Sequence, residues 1–246
     1  FTQTAATISA SQSITILANG EAPALPFSAG GTLTLSAPII DQRGTLRAPF
    51  GQIVLNATDA LTLGEDSITS VSGAGLTMLY GTIADLTLWY GNDLTAPLTA
   101  PPEKRITLKA PNIDARSGAV IDLSGGGDLL AYQFVPGSGG SSNYLATSDA
   151  VAIMPVSKVS AIDRQQVIHL DGGYGIPAGD YAVLPASYAL LPGASRLVPF
   201  TNKGQPIYGT RHATQLADGS VVMAGWSSIT GTGVYDQRAQ TYRVSP

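Results

Sequence analysis

Short runs in which apolar and polar residues alternate fill this chain, and they leave no room for a helical pattern. SITIL from Ser13, TLTLSA from Thr32, QIVLNA from Gln52, ALTLG from Ala60 and RITLKA from Arg105 all show it. A period of two sends successive side chains to opposite faces of a strand. Apolar residues at i, i+3, i+4 and i+7 are nowhere sustained for three turns. Gly, Pro, Asn and Asp separate the runs, as they do between strands. The fold class that follows is all-β.

The runs recur. Ile14, Leu33 and Ile53 open similar runs 19 and 20 residues apart. A period near 20 residues with short strands is the mark of a solenoid. Its coils stack in parallel about 4.8 Å apart, and equivalent inward residues form ladders. A longer repeat points the same way. LTLSAPIIDQR from Leu33 matches ITLKAPNIDAR from Ile106 at a constant offset of 73. The match pairs Leu35 with Leu108, Ile40 with Ile113, Asp41 with Asp114 and Arg43 with Arg116. Because 73 is not a multiple of 20, an excursion is expected, and the Pro- and Gly-containing stretch 90–103 is its natural place. Pro38 and Pro111 lack an N–H and are expected to stop their strands at corners. Asp41 and Asp114 are expected to bond to backbone at the next bend.

The pattern changes after Gly127. VPGSGGSSN from Val135 reads as a loop, and residues 128–165 read as a loop-rich connection. From Gln166 the runs QVIHL, DYAVLPA, YALLPG, SRLVPF, GSVVMAG and QTYRV read as antiparallel strands with tight turns, Asp-Gly at 171 and 218 marking two of them. The expected organisation is a right-handed parallel β-helix over 1–127 with an excursion near 90–103, then the connection, then a smaller, mainly antiparallel β module over 166–246.

Composition excludes several chemistries. The 246 residues contain no cysteine, which removes thiolate catalysis and Cys-based zinc sites. Charged residues are 12%, with 13 Lys and Arg against 17 Asp and Glu. No basic stripe exists for a phosphate backbone, so nucleic acid is not an expected partner. No apolar run of about 18 residues occurs, so no membrane insertion is expected. The first residue is Phe1 and no signal-peptide pattern follows it. The chain therefore reads as a piece of a longer protein whose targeting signals lie elsewhere.

Few residues suggest a site. His169 and His212 are the two histidines and lie 43 residues apart. A metal shared by His169 and Asp171 competes with His169 simply alternating between Ile168 and Leu170 in a strand. Ser124, Gly125, Gly126, Gly127 and Asp128 resemble one calcium-binding Gly/Asp turn, but that unit works by repetition, and a corner bend explains it better. Asp41, Asp114 and Asp122 are the candidates for a paired-carboxylate glycan-cleaving site, yet no dense acidic or basic cluster accompanies them. No GxSxG elbow is present. The expectation is no catalytic residue, no metal and no cofactor. Trp89 and Tyr90, and in the second module Tyr208 and Trp226, are candidate ligand contacts, because exposed aromatic faces stack on sugar rings. Their plainer reading is core or loop anchoring.

Residues 31–73, residues 100–140 and the PAGDYAVLPASYALLPGA segment from Pro177 resemble large exoproteins of the filamentous haemagglutinin type. The PPEK, AYQFVPG and YALLPG blocks carry more of the resemblance than the strand repeats do. The resemblance implies two-partner secretion from a Gram-negative bacterium and a β-helical rod on the cell surface, acting in adhesion or biofilm contact. It implies an outer-membrane transporter that engages another part of the full protein, since the N-terminal secretion domain is not represented here. Partners of this segment would be host or bacterial surface glycans or proteins. A carbohydrate-binding module and a polysaccharide-cleaving β-helix stay open as alternatives.

Overall fold

The structure is a computed structural model and describes residues 5–18, 20, 26–91, 96–137, 140–159, 166–207, 212–229 and 240–245. It is all-β and divides into two units, residues 1–133 and 134–246.

In the first unit the alternating runs become parallel strands. β1 (Ala5–Ser9), β2 (Ser13–Leu17), β3 (Thr32–Arg43) and β4 (Thr45–Arg47) come first. β5 (Gln52–Leu63), β6 (Ile68–Ser70), β7 (Thr77–Ala84) and β8 (Leu88–Tyr90) follow. β9 (Arg105–Lys109), β10 (Asn112–Ala115), β11 (Val120–Asp122) and β12 (Asp128–Tyr132) complete the unit. In the largest sheet β1 and β2 both run along β3, β3 runs along β5, and β5 carries β9 and β10, all in parallel. A second parallel sheet is β4-β6-β11. In the third, β12 pairs β7 in parallel and β8 folds back antiparallel on β7.

The register explains the 73-residue repeat. Leu33 faces Ile53 and Ile53 faces Ile106; Leu35 faces Leu55 and Leu55 faces Leu108. Ile40, Leu61 and Ile113 form a further column, as do Asp41, Thr62 and Asp114. Leu35 and Leu108, Ile40 and Ile113, and Asp41 and Asp114 therefore each stand in one column, two strands apart. Leu35, Ile40, Ile53, Leu55, Leu61 and Leu63 are buried in one core, and each buried side chain of this size contributes about 1.5–3 kcal/mol. Gln42, fully buried, pins the corner between the first two sheets. Its Nε2 donates to the Gly44 and Ile68 carbonyls at 3.0 Å each, and its Oε1 accepts from the Gly44 N–H at 3.0 Å. These bonds remove the cost of an unsatisfied buried amide.

Two local expectations change. Ile14 faces Ile40, not Leu33, whose partner in the preceding strand is Ala6. The 19-residue spacing linked two different columns. Pro38 does not end its strand: β3 runs through it, with a register shift between Ala37 and Ile39. A bulge removes the need for the missing donor, so proline is tolerated there. Pro111 does fall in a break, between β9 and β10. Between β8 and β9, within the stretch expected as an excursion, the described residues form no strand beyond one isolated bridge, Tyr90 to Pro97.

The second unit is a closed six-stranded antiparallel barrel. Its elements are β13 (Val151–Pro155), β14 (Gln166–Leu170), β15 (Gly179–Pro185), β16 (Ser195–Pro199), β17 (Thr201–Asn202), β18 (Gln205–Pro206), β19 (Thr214–Gln215), β20 (Val221–Ile229) and β21 (Gln240–Ser245). Around the barrel the order is β14-β15-β13-β16-β21-β20, and the β14–β20 pairing closes the ring. β19 is a short extra strand on β20. Ile153, Ile168, Leu170, Tyr181, Leu197, Val221, Met223 and Val244 fill the barrel. Closure leaves no sheet edge among these six strands for a neighbour to pair with.

The segment 128–165, expected as a connection, contributes β12 to the first unit and β13 to the barrel. VAIMP is flanked by β15 and β16 and has Ala152, Ile153 and Met154 all buried. A strand covered on both faces shows no alternation. Residues before β13 also belong here, since Arg196 donates from Nε and Nη2 to the Tyr144 carbonyl at 3.1 and 2.9 Å. The YALLPG run, expected as a strand, forms a 3-10 turn over Ala186–Leu190. Asp218-Gly219 does sit in the tight turn between β19 and β20, where Gly219 has φ 83°.

Candidate functional site

β20 and β15 flank β14 on the barrel wall, and their registers set Trp226 and Asp180 on either side of His169. On β14, Ile168 and Leu170 face the core, so the alternation sends His169 outward. The imidazole stacks on the Trp226 indole with ring centroids 4.4 Å apart and planes 21° from parallel. Its Nδ1 lies 2.8 Å from Asp180 Oδ1. The side chains of His169 and Asp180 are 35% and 56% exposed, and Trp226 is 37% exposed. The carboxylate fixes the imidazole, and the imidazole fixes the indole, so a large aromatic surface is held still at the solvent boundary. The loop after β14 carries a second exposed aromatic, Tyr174. That loop is tied down by the Tyr181 hydroxyl, which donates to the Pro177 carbonyl at 2.7 Å, and burial raises the pKa of that hydroxyl.

The other aromatic candidates divide. Trp89 is half-buried; its Nε1 donates to the Tyr80 carbonyl at 2.8 Å and its ring meets Tyr80 edge-on at 6.1 Å. It packs against the Ala29, Phe50, Met78 and Tyr80 cluster, which is the anchoring role. Tyr90 is half-buried beside it and bridges to Pro97. Tyr208 lies outside the described residues.

The carboxylates are engaged in structure. Asp41 pairs with Arg43 at 2.6 Å and Asp114 with Arg116 at 3.2 Å, so these Asp side chains meet arginine where backbone partners were expected. Asp122 accepts from the Ser124 hydroxyl at 2.6 Å, the Ser124 N–H at 3.0 Å and the Ser70 hydroxyl at 2.8 Å. Those bonds, led by the Ser124 hydroxyl, hold its pKa below the usual carboxylate value. The Gly/Asp turn is a close approach of backbones: a Cβ on Gly127, where φ is 86°, would stand 1.9 Å from the Gly73 carbonyl oxygen. His169 has Asp180, not Asp171, as its carboxylate partner. His212 is exposed and its carbonyl accepts from Thr214 Oγ1 at 3.4 Å. No group of three or more His, Cys, Asp or Glu able to hold a metal occurs among the described residues, and no described helix is long and apolar enough to cross a membrane.

Two hollows lie among the described residues. A notch of about 260 Å³ in the first unit is lined by Arg43, Thr62, Gly64, Glu65 and Arg116. Its two guanidinium groups are each neutralised by their own Asp, and Glu65 adds a negative charge, so the notch offers an anion no net attraction. The other, about 150 Å³, lies in the barrel between Asp149, Gln166, Val183, Pro199 and Tyr242. It falls below the range usual for small-molecule sites.

Sequence reasoning found Trp226 and His169 separately, but not their stacking, and it missed Asp180. Strand pairing joins His169 to Trp226 and to Asp180 across 57 and 11 positions of sequence, and no local spacing announces it. No family model, curated protein or solved structure matches the chain.

Proposed function

We propose that the chain is a non-catalytic, adhesive segment of a secreted exoprotein of the filamentous haemagglutinin type, displayed at the surface of a Gram-negative bacterium. In this reading the parallel sheets of the first unit are the walls of a right-handed β-helix, and the barrel is the module that meets a partner. The observation that carries it is the column Leu35, Leu55 and Leu108. A sequence repeat whose members stack directly on one another is what a solenoid rod requires. The sequence resemblance supplies the biological setting, including an outer-membrane transporter that engages another part of the full protein.

The test is attachment. Beads coated with the purified chain should adhere to epithelial cells or to bacterial biofilm matrix above the level of albumin-coated beads, and soluble chain should compete. Adhesion no better than albumin on both surfaces would sink the adhesive role. Turnover of a polysaccharide by the purified chain would replace it with the enzyme reading.

A second reading, a carbohydrate-binding module, is favoured by the exposed stack of Trp226 on His169. It concerns the barrel alone and does not depend on the exoprotein assignment.

A further inference from the structure

An aromatic ring at a protein surface normally gains little by being held still, and a solvated tryptophan loses rotamer freedom when it is. Here two neighbouring strands contribute to holding one. His169 covers one face of the Trp226 indole. Asp180, across the next strand pair, holds the imidazole through Nδ1. The interior of the barrel does not require this arrangement, because the core is made by the alternate residues Ile168 and Leu170 on β14 and Tyr181 on β15. An immobilised indole has already lost the entropy that binding would otherwise cost, which is the general advantage of preorganisation.

We propose that Trp226 is a stacking platform for one neutral pyranose ring of gluco or galacto configuration within a surface glycan. Such a ring presents several axial C–H groups on one face, an apolar patch about the size of an indole. Its rim is polar, and His169 and Asp180 give the platform a polar border of matching kind. A uronic or sialic acid is disfavoured, because the Asp180 carboxylate stands in that border. A protein hot spot is the less suitable occupant, because it needs an aromatic set within a desolvated apolar surround, whereas Trp226 has a half-exposed imidazole and carboxylate for neighbours. His169 and Asp180 are positioning residues for the ring and act through Trp226. This inference rests on the carbohydrate-binding reading of the barrel and names its residue and ligand class.

The experiment applies the full chain and its W226A, W226F and D180N variants to immobilised β-glucan, β-galactan, polygalacturonate and heparin. Circular dichroism and a thermal melt on each variant establish folding. The wild type should bind one or both neutral polymers and neither acidic one. W226A should weaken binding by about tenfold or more, the effect of truncating a central aromatic anchor. W226F should restore part of it, and methyl β-glucoside or methyl β-galactoside should compete. Binding that survives unchanged in folded W226A would overturn the site while leaving a sugar-binding barrel in place. Absence of binding to all four polymers by folded wild type would overturn the site and the carbohydrate reading together. Preference for the acidic polymers would overturn the ligand class. Trp226-dependent attachment to cells whose glycans have been destroyed by periodate would reassign the platform to a protein partner.

Discussion

Asp41 and Asp114 are 73 residues apart in sequence and stand in one column of the sheet, with only Thr62 between them. Each forms an ion pair with the arginine two residues on. The Asp114 pair is exposed on both sides and the Asp41 pair is exposed on its arginine side, and pairs open to solvent contribute little to stability. What persists between the two segments is thus a pattern of position, with the energy residing in the apolar columns beside it.

Leu55 gives the direct measure of that energy. It is fully buried between Leu35 and Leu108. Leu55→Ala should cost about 2–5 kcal/mol. Leu86→Ala, at a residue 69% exposed, should change stability by no more than about 0.5 kcal/mol. Urea unfolding followed by circular dichroism separates the two, and equal effects would contradict the core assignment.

The Gly/Asp turn provides a second test. Gly127→Ala places a methyl group against the Gly73 carbonyl at a backbone angle that favours glycine, so the melting temperature should fall. Millimolar calcium should leave the melting temperature of the wild type unchanged. A calcium-dependent rise that Gly127→Ala abolishes would return the turn to the metal-binding reading.

Acid should act through two aspartates, one in each unit. Hydrogen bonds from Ser124 and Ser70 lower the pKa of Asp122, and hydrogen bonds from Ser220, with Arg243 beside them, lower that of Asp218. A carboxylate with a depressed folded-state pKa stabilises the fold fully above its unfolded value. That contribution disappears as pH falls through the folded value. Asp122→Asn and Asp218→Asn should each flatten the loss of stability below about pH 4, where unfolded Asp begins to protonate. Urea midpoints measured from neutral pH down to about pH 2 will show whether the slope responds. Identical slopes in wild type and both variants would remove these residues as acid sensors.

The barrel boundary can be checked by truncation. Residues 134–246 contain all six strands of the ring and should unfold cooperatively by themselves. Residues 166–246 lack β13, which lies between β15 and β16, and should not. A folded 166–246 fragment would show that the ring can close without that strand.

These outcomes also locate what the sequence disclosed. The columns of the first unit were legible because Leu35 and Leu108, or Ile40 and Ile113, keep their identity at a constant offset. The opening strand was misaligned because Ala6, the true partner of Leu33, is a small residue with a weak signal. β13 was missed because burial on both faces erased its alternation. The Trp226 site was half visible: an exposed aromatic can be suspected from composition, but Asp180 reaches His169 through antiparallel register, which is a property of the folded sheet.

Ring order has a temporal consequence. β21 lies between β16 and β20, so it joins the strand made just before it to one made well before it. A chain emerging from a ribosome or a secretion pore with its N-terminal end first can add parallel strands to the first unit one after another. The barrel must instead wait, with two strands unpaired along one side, until residues 240–245 emerge. Until β21 pairs with β16 and β20, the ring stays open on that side.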